Sequence, residues 1–305
     1  MTQPEVLKAL RAIPEFRDVA DPTEVQRLLG LTNQVYAVHL PERVVVLRIP
    51  GEGTEEYIDR EVEAHNALAA ARAGVSPDVL YSDGKSGLMM TRYVEGATMS
   101  PALFHSTPGA PARAAEVLRK LHYSGEKFRF RFELFAMIDD YRTVLSRLGA
   151  TLPEGYDDVV AEAAAVREAL EAHPVELAPC HCDPLSENFI DTGERMWLVD
   201  WEYSGMNDPL WDLGDLSVEA GFGPDEDREM MEAYCDGSVP EALYGRMVVY
   251  KAMCDLLWTL WGLIQHANKN PAEDFWAYAV NRFARCKELM ADPSFGEHLA
   301  AVRKG

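Results

Sequence analysis

Apolar and polar positions along this chain follow two different periods, and the change falls near residue 95. Before it, Val35–Leu40 and Arg43–Ile49 are runs rich in β-branched residues separated by Pro41-Glu42, the pattern of an antiparallel hairpin. Val79–Ser82 and Gly87–Val94 predict a second pair of strands around Asp83-Gly84. Glu5–Ala12 predicts a short helix. Glu55–Ala73 is filled with helix formers and stops at Gly74, a residue able to take the left-handed conformation that closes a helix. Beyond Glu95-Gly96 the helical period dominates. Ala112–His122, Ile138–Leu148, Tyr156–Ala172, Asp225–Cys235, Pro240–Gln265, Pro271–Met290 and Pro293–Val302 all predict helices. Only Glu176–Ala178, Phe189–Asp191 and Met196–Val199 predict strands there, all of them short. The expected fold class is therefore α+β in two lobes. Residues 1–94 make a small N-terminal lobe with an antiparallel sheet and one main helix, and residues 95–305 make a larger, mostly helical C-terminal lobe. A cleft between two lobes is a favoured place for a ligand.

Composition narrows the partners. In 305 residues, 29 Lys and Arg stand against 50 Asp and Glu, a net charge of −21. That balance repels nucleic acid and anionic membrane surfaces and steers small cations inward. The N-terminal residues have neither a basic stretch nor an uninterrupted apolar core. The apolar run Met253–Ile264 contains Asp255 and is shorter than the ~20 residues a membrane span needs. Five scattered cysteines, Cys180, Cys182, Cys235, Cys254 and Cys286, form no paired metal-binding units. The expectation is a reduced, cytoplasmic protein without stable membrane insertion.

The chemistry concentrates in His181-Cys182-Asp183-Pro184-Leu185-Ser186-Glu187-Asn188, followed by Asp200-Trp201-Glu202. Phosphoryl transfer needs an acidic group for the incoming hydroxyl proton and oxygen ligands for Mg²⁺. An Asp followed five residues later by Asn supplies both from one loop, and Asp200 supplies a second metal ligand. The H-x-D-x-x-x-x-N spacing matches the protein-kinase catalytic loop, with Asp200 where that pattern puts its metal-binding Asp. Gly30, with Leu31-Thr32-Asn33, precedes a strand, where a turn can lay backbone N–H groups over phosphates. Arg48 is the only charge in Val44–Ile49 and would be costly if buried unpaired; facing the cleft, it can bind nucleotide phosphates. Trp258 and Trp261 share a helix face, and Tyr278 lies on the following helix. Such aromatic groups pack a core or cage a quaternary ammonium by cation–π attraction.

These segments resemble the choline/ethanolamine kinases, the LicA-like bacterial branch of the aminoglycoside phosphotransferase superfamily. The resemblance runs roughly from Leu28 to Phe283. It rests on Leu29–Tyr36, Val46–Gly51, the catalytic stretch, Asp200–Ser204 and Trp258–Gln265. It implies a protein-kinase-like fold, ATP, Mg²⁺ and transfer of the γ-phosphoryl to a small cationic amino alcohol. It casts Asp183 as catalytic base and Asn188 and Asp200 as metal ligands. Gly30, Thr32, Asn33 and Arg48 would lie on the nucleotide side, with Glu63 rather than Glu61 as the partner of Arg48. Trp258, Trp261 and Tyr278 would hold the ammonium head, with Glu219 and Tyr203 adding negative or polar lining. Asp212 becomes a structural tie to the catalytic loop. Cys182, with no adjacent Lys or Arg to depress its pKa, is expected to be a small buried filler. Choline and ethanolamine both stay open as acceptors; the alternative is a kinase of the same fold acting on thiamine, an aminoglycoside or another small amino alcohol. A catalytically silent binder of quaternary ammonium compounds or nucleotide is a third reading.

Overall fold

Five strands, β1 (Glu24–Arg27), β2 (Asn33–His39), β3 (Val44–Pro50), β4 (Val79–Ser82) and β5 (Met89–Arg92), form one antiparallel sheet in the order β1-β2-β3-β5-β4. The computed structural model describes residues 4–28, 30, 33–51 and 58–305. β2 and β3 are the expected hairpin, with Val35 opposite Arg48 and Ala37 opposite Val46. The sequence pattern misses β1, an edge strand whose residues Glu-Val-Gln-Arg are mostly exposed and carry no apolar alternation. Helix α1 (Pro4–Ala12) lays Val6 and Leu10 on Tyr36, Val38, Val45, Leu47 and Met90, giving the sheet a small apolar core of its own.

Helix α2 spans Arg60–Arg72 and corrects the expectation of a start at Glu55. The Asp59 side chain accepts the backbone N–H groups of Glu61 and Val62 at 3.0 and 3.1 Å and fixes the first turn there. Residues 55–57 of the expected helix lie outside the described residues. The helix closes as expected, with Gly74 at φ +67°. Ala67, Ala69 and Ala70 of α2 belong to the large apolar core of the second lobe, not to that of the sheet.

The chain passes between lobes across residues 93–96, because β6 (Ala97–Thr98) already pairs with β8 (Phe189–Asp191), which pairs with β9 (Met196–Leu198). The second lobe is otherwise helical: α3 (Pro101–Ser106), α4 (Ala110–His122), α5 (Leu134–Leu148), α6 (Tyr156–Ala172), α7 (Pro209–Ala220), α8 (Pro224–Cys235), α9 (Glu241–Ala267), α10 (Phe275–Ala291) and α11 (Pro293–Lys304). A two-stranded ribbon of β7 (Ala178–Cys180) and β10 (Gly205–Asn207) brackets the functional loops. β7 sits two residues later than expected. α10 begins at Phe275 rather than Pro271, because Asp274 accepts the N–H of Ala277 at 3.0 Å and caps it. Among the described residues α9 is the one helix long and apolar enough to cross a membrane. Its apolar window is 78% buried, and α5, α6, α7, α10 and α11 pack around it, so it is the central helix of the core. The sequence pattern misses α7 altogether. That helix is buried on nearly every side and places Asp212, Asp215 and Ser217 inside the lobe, where a period search expects apolar residues.

Candidate active site

Residues 181–188 connect β7 to β8, and a single carboxylate sets their backbone. Asp212, fully buried on α7, accepts the N–H of His181 at 2.7 Å and of Cys182 at 2.8 Å. His122 Nε2 lies 2.9 Å from the same carboxylate, and its Nδ1 lies 2.9 Å from the Tyr234 hydroxyl. These bonds hold Cys182 at φ +66°, a left-handed conformation a side chain rarely adopts without such support. Trp211 Nε1 donates to the Cys182 carbonyl at 3.0 Å, and Asn188 Nδ2 donates to the Asp183 carbonyl at 3.0 Å. Burial, and then the charge of Asp212, push the Cys182 thiol well up, so it fills space rather than reacts. The Asp183 carboxyl is raised to about 7, first by burial and then by Glu219, with Arg282 pulling the other way. A carboxylate of that pKa is matched to general-base work near neutral pH.

On the sheet side of this loop, five polar side chains close a buried network. Both terminal nitrogens of Arg48 bond the Glu63 carboxylate, one of them at 2.8 Å. Glu63 also accepts from Arg60 at 2.8 Å, whereas Glu61 points to solvent. Arg60 reaches across to Glu202 at 2.6 Å, and Asn33 Nδ2 donates to Glu202 at 2.6 Å. Arg60 also donates to Asn33 Oδ1 at 3.2 Å, so the Asn33 side chain is engaged by Glu202 and Arg60. Burial alone would lower the Arg48 pKa; the charge and hydrogen bonds of Glu63 outweigh it and raise it. Arg48 Nε is buried with no hydrogen-bond partner among the described residues.

The β8–β9 hairpin delivers the other acids. Val199 donates its N–H to the Asn188 carbonyl at 3.0 Å, which sets Asn188 beside the strand end that carries Asp200. Asp200 takes φ +69°, and its carboxyl is raised by burial and then by Glu202, against the pull of Arg48. Carboxylate oxygens of Glu63, Asp200 and Glu202 lie within 4.8 Å of one another. An all-oxygen set fits a hard divalent cation such as Mg²⁺. A Cβ on Gly30 would stand 2.8 Å from the Asn33 carbonyl oxygen, so only glycine permits that approach of turn and strand. Thr32 lies outside the described residues.

On the opposite side of Asp183 the aromatic residues converge. The Trp261 ring centroid lies 5.8 Å from that of Tyr278 and 5.6 Å from that of Phe275, both edge-on. Tyr203 lies 5.4 Å from Trp258, and its hydroxyl accepts from Trp261 Nε1 at 3.0 Å. Gly262 makes this possible: a Cβ there would stand 2.6 Å from a Tyr278 ring carbon. The guanidinium of Arg282 sits 4.6 Å over the Tyr278 ring and pairs with Glu219 at 2.5 Å. The expected negative lining from Glu219 is therefore already matched by a cation of the protein.

A family model described as phosphotransferase enzyme family matches residues 24–247. A solved structure of a choline/ethanolamine kinase family protein from Mesorhizobium loti is 60% identical, covers 99% of both chains and superposes with a TM-score of 0.91. The chain belongs to the choline/ethanolamine kinase family. Choline kinase LicA from Streptococcus pneumoniae is 27% identical over 94% of this chain and 99% of its own, with a TM-score of 0.77. Protein LicA of Haemophilus influenzae is 28% identical over 86% of this chain and 78% of its own. An aminoglycoside phosphotransferase structure with gentamicin, 14% identical at a TM-score of 0.64, shares the fold alone. Membership makes the chain a phosphotransferase with the two-lobed kinase-like architecture described above, and implies ATP- and Mg²⁺-dependent chemistry.

Within this family member, sequence reasoning missed Arg60, Glu202 and Phe275, which the structure brings beside the expected residues. Arg60 and Glu202 were visible as neighbours of assigned residues, three before Glu63 and two after Asp200. Their bond spans 142 positions of sequence, and no local pattern announces it. Phe275 sits three residues before Tyr278, a helical spacing that could have marked it.

Proposed function

We propose that this chain moves the γ-phosphoryl group of ATP to the hydroxyl of choline or ethanolamine, with Asp183 accepting the hydroxyl proton. The observation that carries the reading is the position of Asp183 between two unlike halves of the site. Its carboxyl feels Glu219 from the aromatic side and Glu202 from the side of Arg48 and Asp200. Arg48, clamped by Glu63, would stand on the nucleotide side as the cation for the phosphates. The Asn33, Arg60 and Glu202 bonds hold the two lobes in register around that arginine. Asn188 and Asp200 would hold Mg²⁺, aided by the acids beside Asp200, and the ion would neutralise charge on the phosphate oxygens. Asp183 orients the acceptor oxygen and takes its proton as the new O–P bond forms and ADP leaves. The relatives support the nucleotide: a solved LicA in complex with AMP is 27% identical over 92% of this chain. The aromatic cluster supports an ammonium-bearing acceptor over a polyhydroxylated sugar.

ADP release with ATP and Mg²⁺ against choline, ethanolamine, thiamine and kanamycin tests the reading, with Asp183→Asn alongside. Turnover of choline or ethanolamine that falls at least a hundredfold in the variant is expected. Turnover of thiamine or kanamycin instead, or an Asp183→Asn rate within tenfold of the native protein, would refute it.

A further inference from the structure

Helix α7 carries Asp212, Asp215 and Glu219 at intervals of three and four, on one face. Two of these carboxylates have charged or backbone partners, although Glu219 Oε1 makes an ion pair and no hydrogen bond among the described residues. Asp212 holds the catalytic loop, and Glu219 is paired with Arg282. The neighbouring carboxylate on α9, Asp255, is held by Arg282 at 3.2 Å and by Arg285 at 2.6 Å through two bonds. Asp215 differs from all of them: it is 0% exposed, and neither of its oxygens has a hydrogen-bond partner among the described residues. Its charge is felt by Cys254, one turn before Trp258 on α9, and by Tyr278 on α10. It lies one turn before Glu219 on the same face of α7, and the Arg282 that pairs with Glu219 stacks on Tyr278, which brings Asp215 to the edge of the aromatic cluster. Trp258 is 4% exposed, and its Nε1 is likewise buried without an acceptor among the described residues.

Charge and donors fit one occupant. Asp183, Asp215, Glu219 and Asp255 set four carboxylates against the guanidiniums of Arg282 and Arg285. Asp183 is reserved for the acceptor hydroxyl, which leaves Asp215 as the carboxylate that makes no ion pair or hydrogen bond of its own among the described residues. Aromatic faces attract any ammonium, methylated or not. A carboxylate with two empty acceptor sites is more selective, because an N⁺–H group gives it a charge-assisted hydrogen bond and an N-methyl group gives none. A quaternary head would leave both oxygens desolvated and unbonded.

Building on the kinase reading above, we propose that Asp215 is the specificity-determining residue for the ammonium head. It ranks acceptors by their N–H donors and favours a primary or partly methylated amino alcohol over a quaternary one.

The test is kcat/KM for ethanolamine, N-methylethanolamine, N,N-dimethylethanolamine and choline, in the native protein and in Asp215→Asn. The expected native order descends with each added methyl, by at least tenfold from ethanolamine to choline. The variant should compress that span at least tenfold, chiefly by raising KM for ethanolamine. A native protein that uses choline as well as ethanolamine, or a variant that lowers all four acceptors by one common factor, would overturn the proposal. Calorimetric titration of the same four amines reads the ladder without turnover and without the variant. A binding ladder beside silent turnover would refute the kinase reading and uphold the role of Asp215; equal binding of all four would overturn that role.

Discussion

Replacing Asp215 by Asn should stabilise the protein at neutral pH, and the size of the gain follows from the environment of the carboxylate. Both oxygens are buried without partners, and burial, then Glu219 and Asp183, raise the carboxyl well above its usual pKa. A carboxyl whose folded pKa lies above its unfolded one binds more protons in the folded state, so stability falls as pH rises from about 4 upward. Above that pH the folded state carries the cost of a buried carboxyl without hydrogen-bond partners among the described residues. Relaxation and water entry reduce such penalties, and the Asn amide keeps an unsatisfied burial cost of its own. The expected net gain is about 1–3 kcal/mol at pH 7.5, or about 2–5 °C in Tm for a chain of this size. Differential scanning calorimetry of both proteins from pH 4.5 to 8 checks it, in the absence of amines. The gain should shrink steadily towards pH 4.5. A variant no more stable than the native protein at pH 7.5, or a gain independent of pH, would refute the account of Asp215 as an uncompensated buried charge.

Asp212→Asn turns one acceptor into an N–H₂ facing a backbone N–H of the catalytic loop, so urea unfolding should report a loss of about 3–5 kcal/mol. The kcat should fall more than tenfold while ATP affinity changes little; an unaltered kcat would sink the positioning role. Gly262→Ala drives a methyl into the Tyr278 ring and should raise the acceptor KM about tenfold with the ATP KM unchanged. An unaltered acceptor KM would place Tyr278 outside the pocket. The raised Asp183 pKa gives a further expectation, since the base must be ionised to act. The kcat/KM of the native protein should fall about tenfold per unit of pH below about 7 and level off above it; a flat profile between pH 5.5 and 7 would assign the proton to another group.

Much of the fold is legible because its signals are local. The β2–β3 hairpin, the closure of α2 at Gly74 and the loop from His181 to Asn188 each announce themselves within a dozen residues. The start of α2 is misplaced because helix formers before Asp59 outnumber the single capping side chain that decides it. α7 is invisible to periodicity for a related reason: its carboxylates point inward, where each needs a partner from a distant segment. The candidate site divides along the same line. Asp183, Asn188, Asp200 and Arg48 are marked by spacing or by a lone charge in an apolar run. The pairing of Glu219 with Arg282, and the isolation of Asp215 that results, depend on three helices meeting. No stretch of sequence carries that information.

The division of α2 between the two lobes has a mechanical consequence. Its alanine face is cemented into the core of the large lobe together with Met89 of β5, while α1 and the rest of the sheet share a separate apolar core that excludes the helix. The seam that can slide therefore runs between α2 and the sheet, and polar clasps such as Arg48 to Glu63 cross it. Opening the cleft amounts to tilting the sheet like a lid over a helix that stays put, with Glu63 and Glu202 waiting on the stationary side. Amide exchange should then protect α2 together with α4 rather than with β2 and β3; exchange of α2 in step with the sheet would move the seam to its other face.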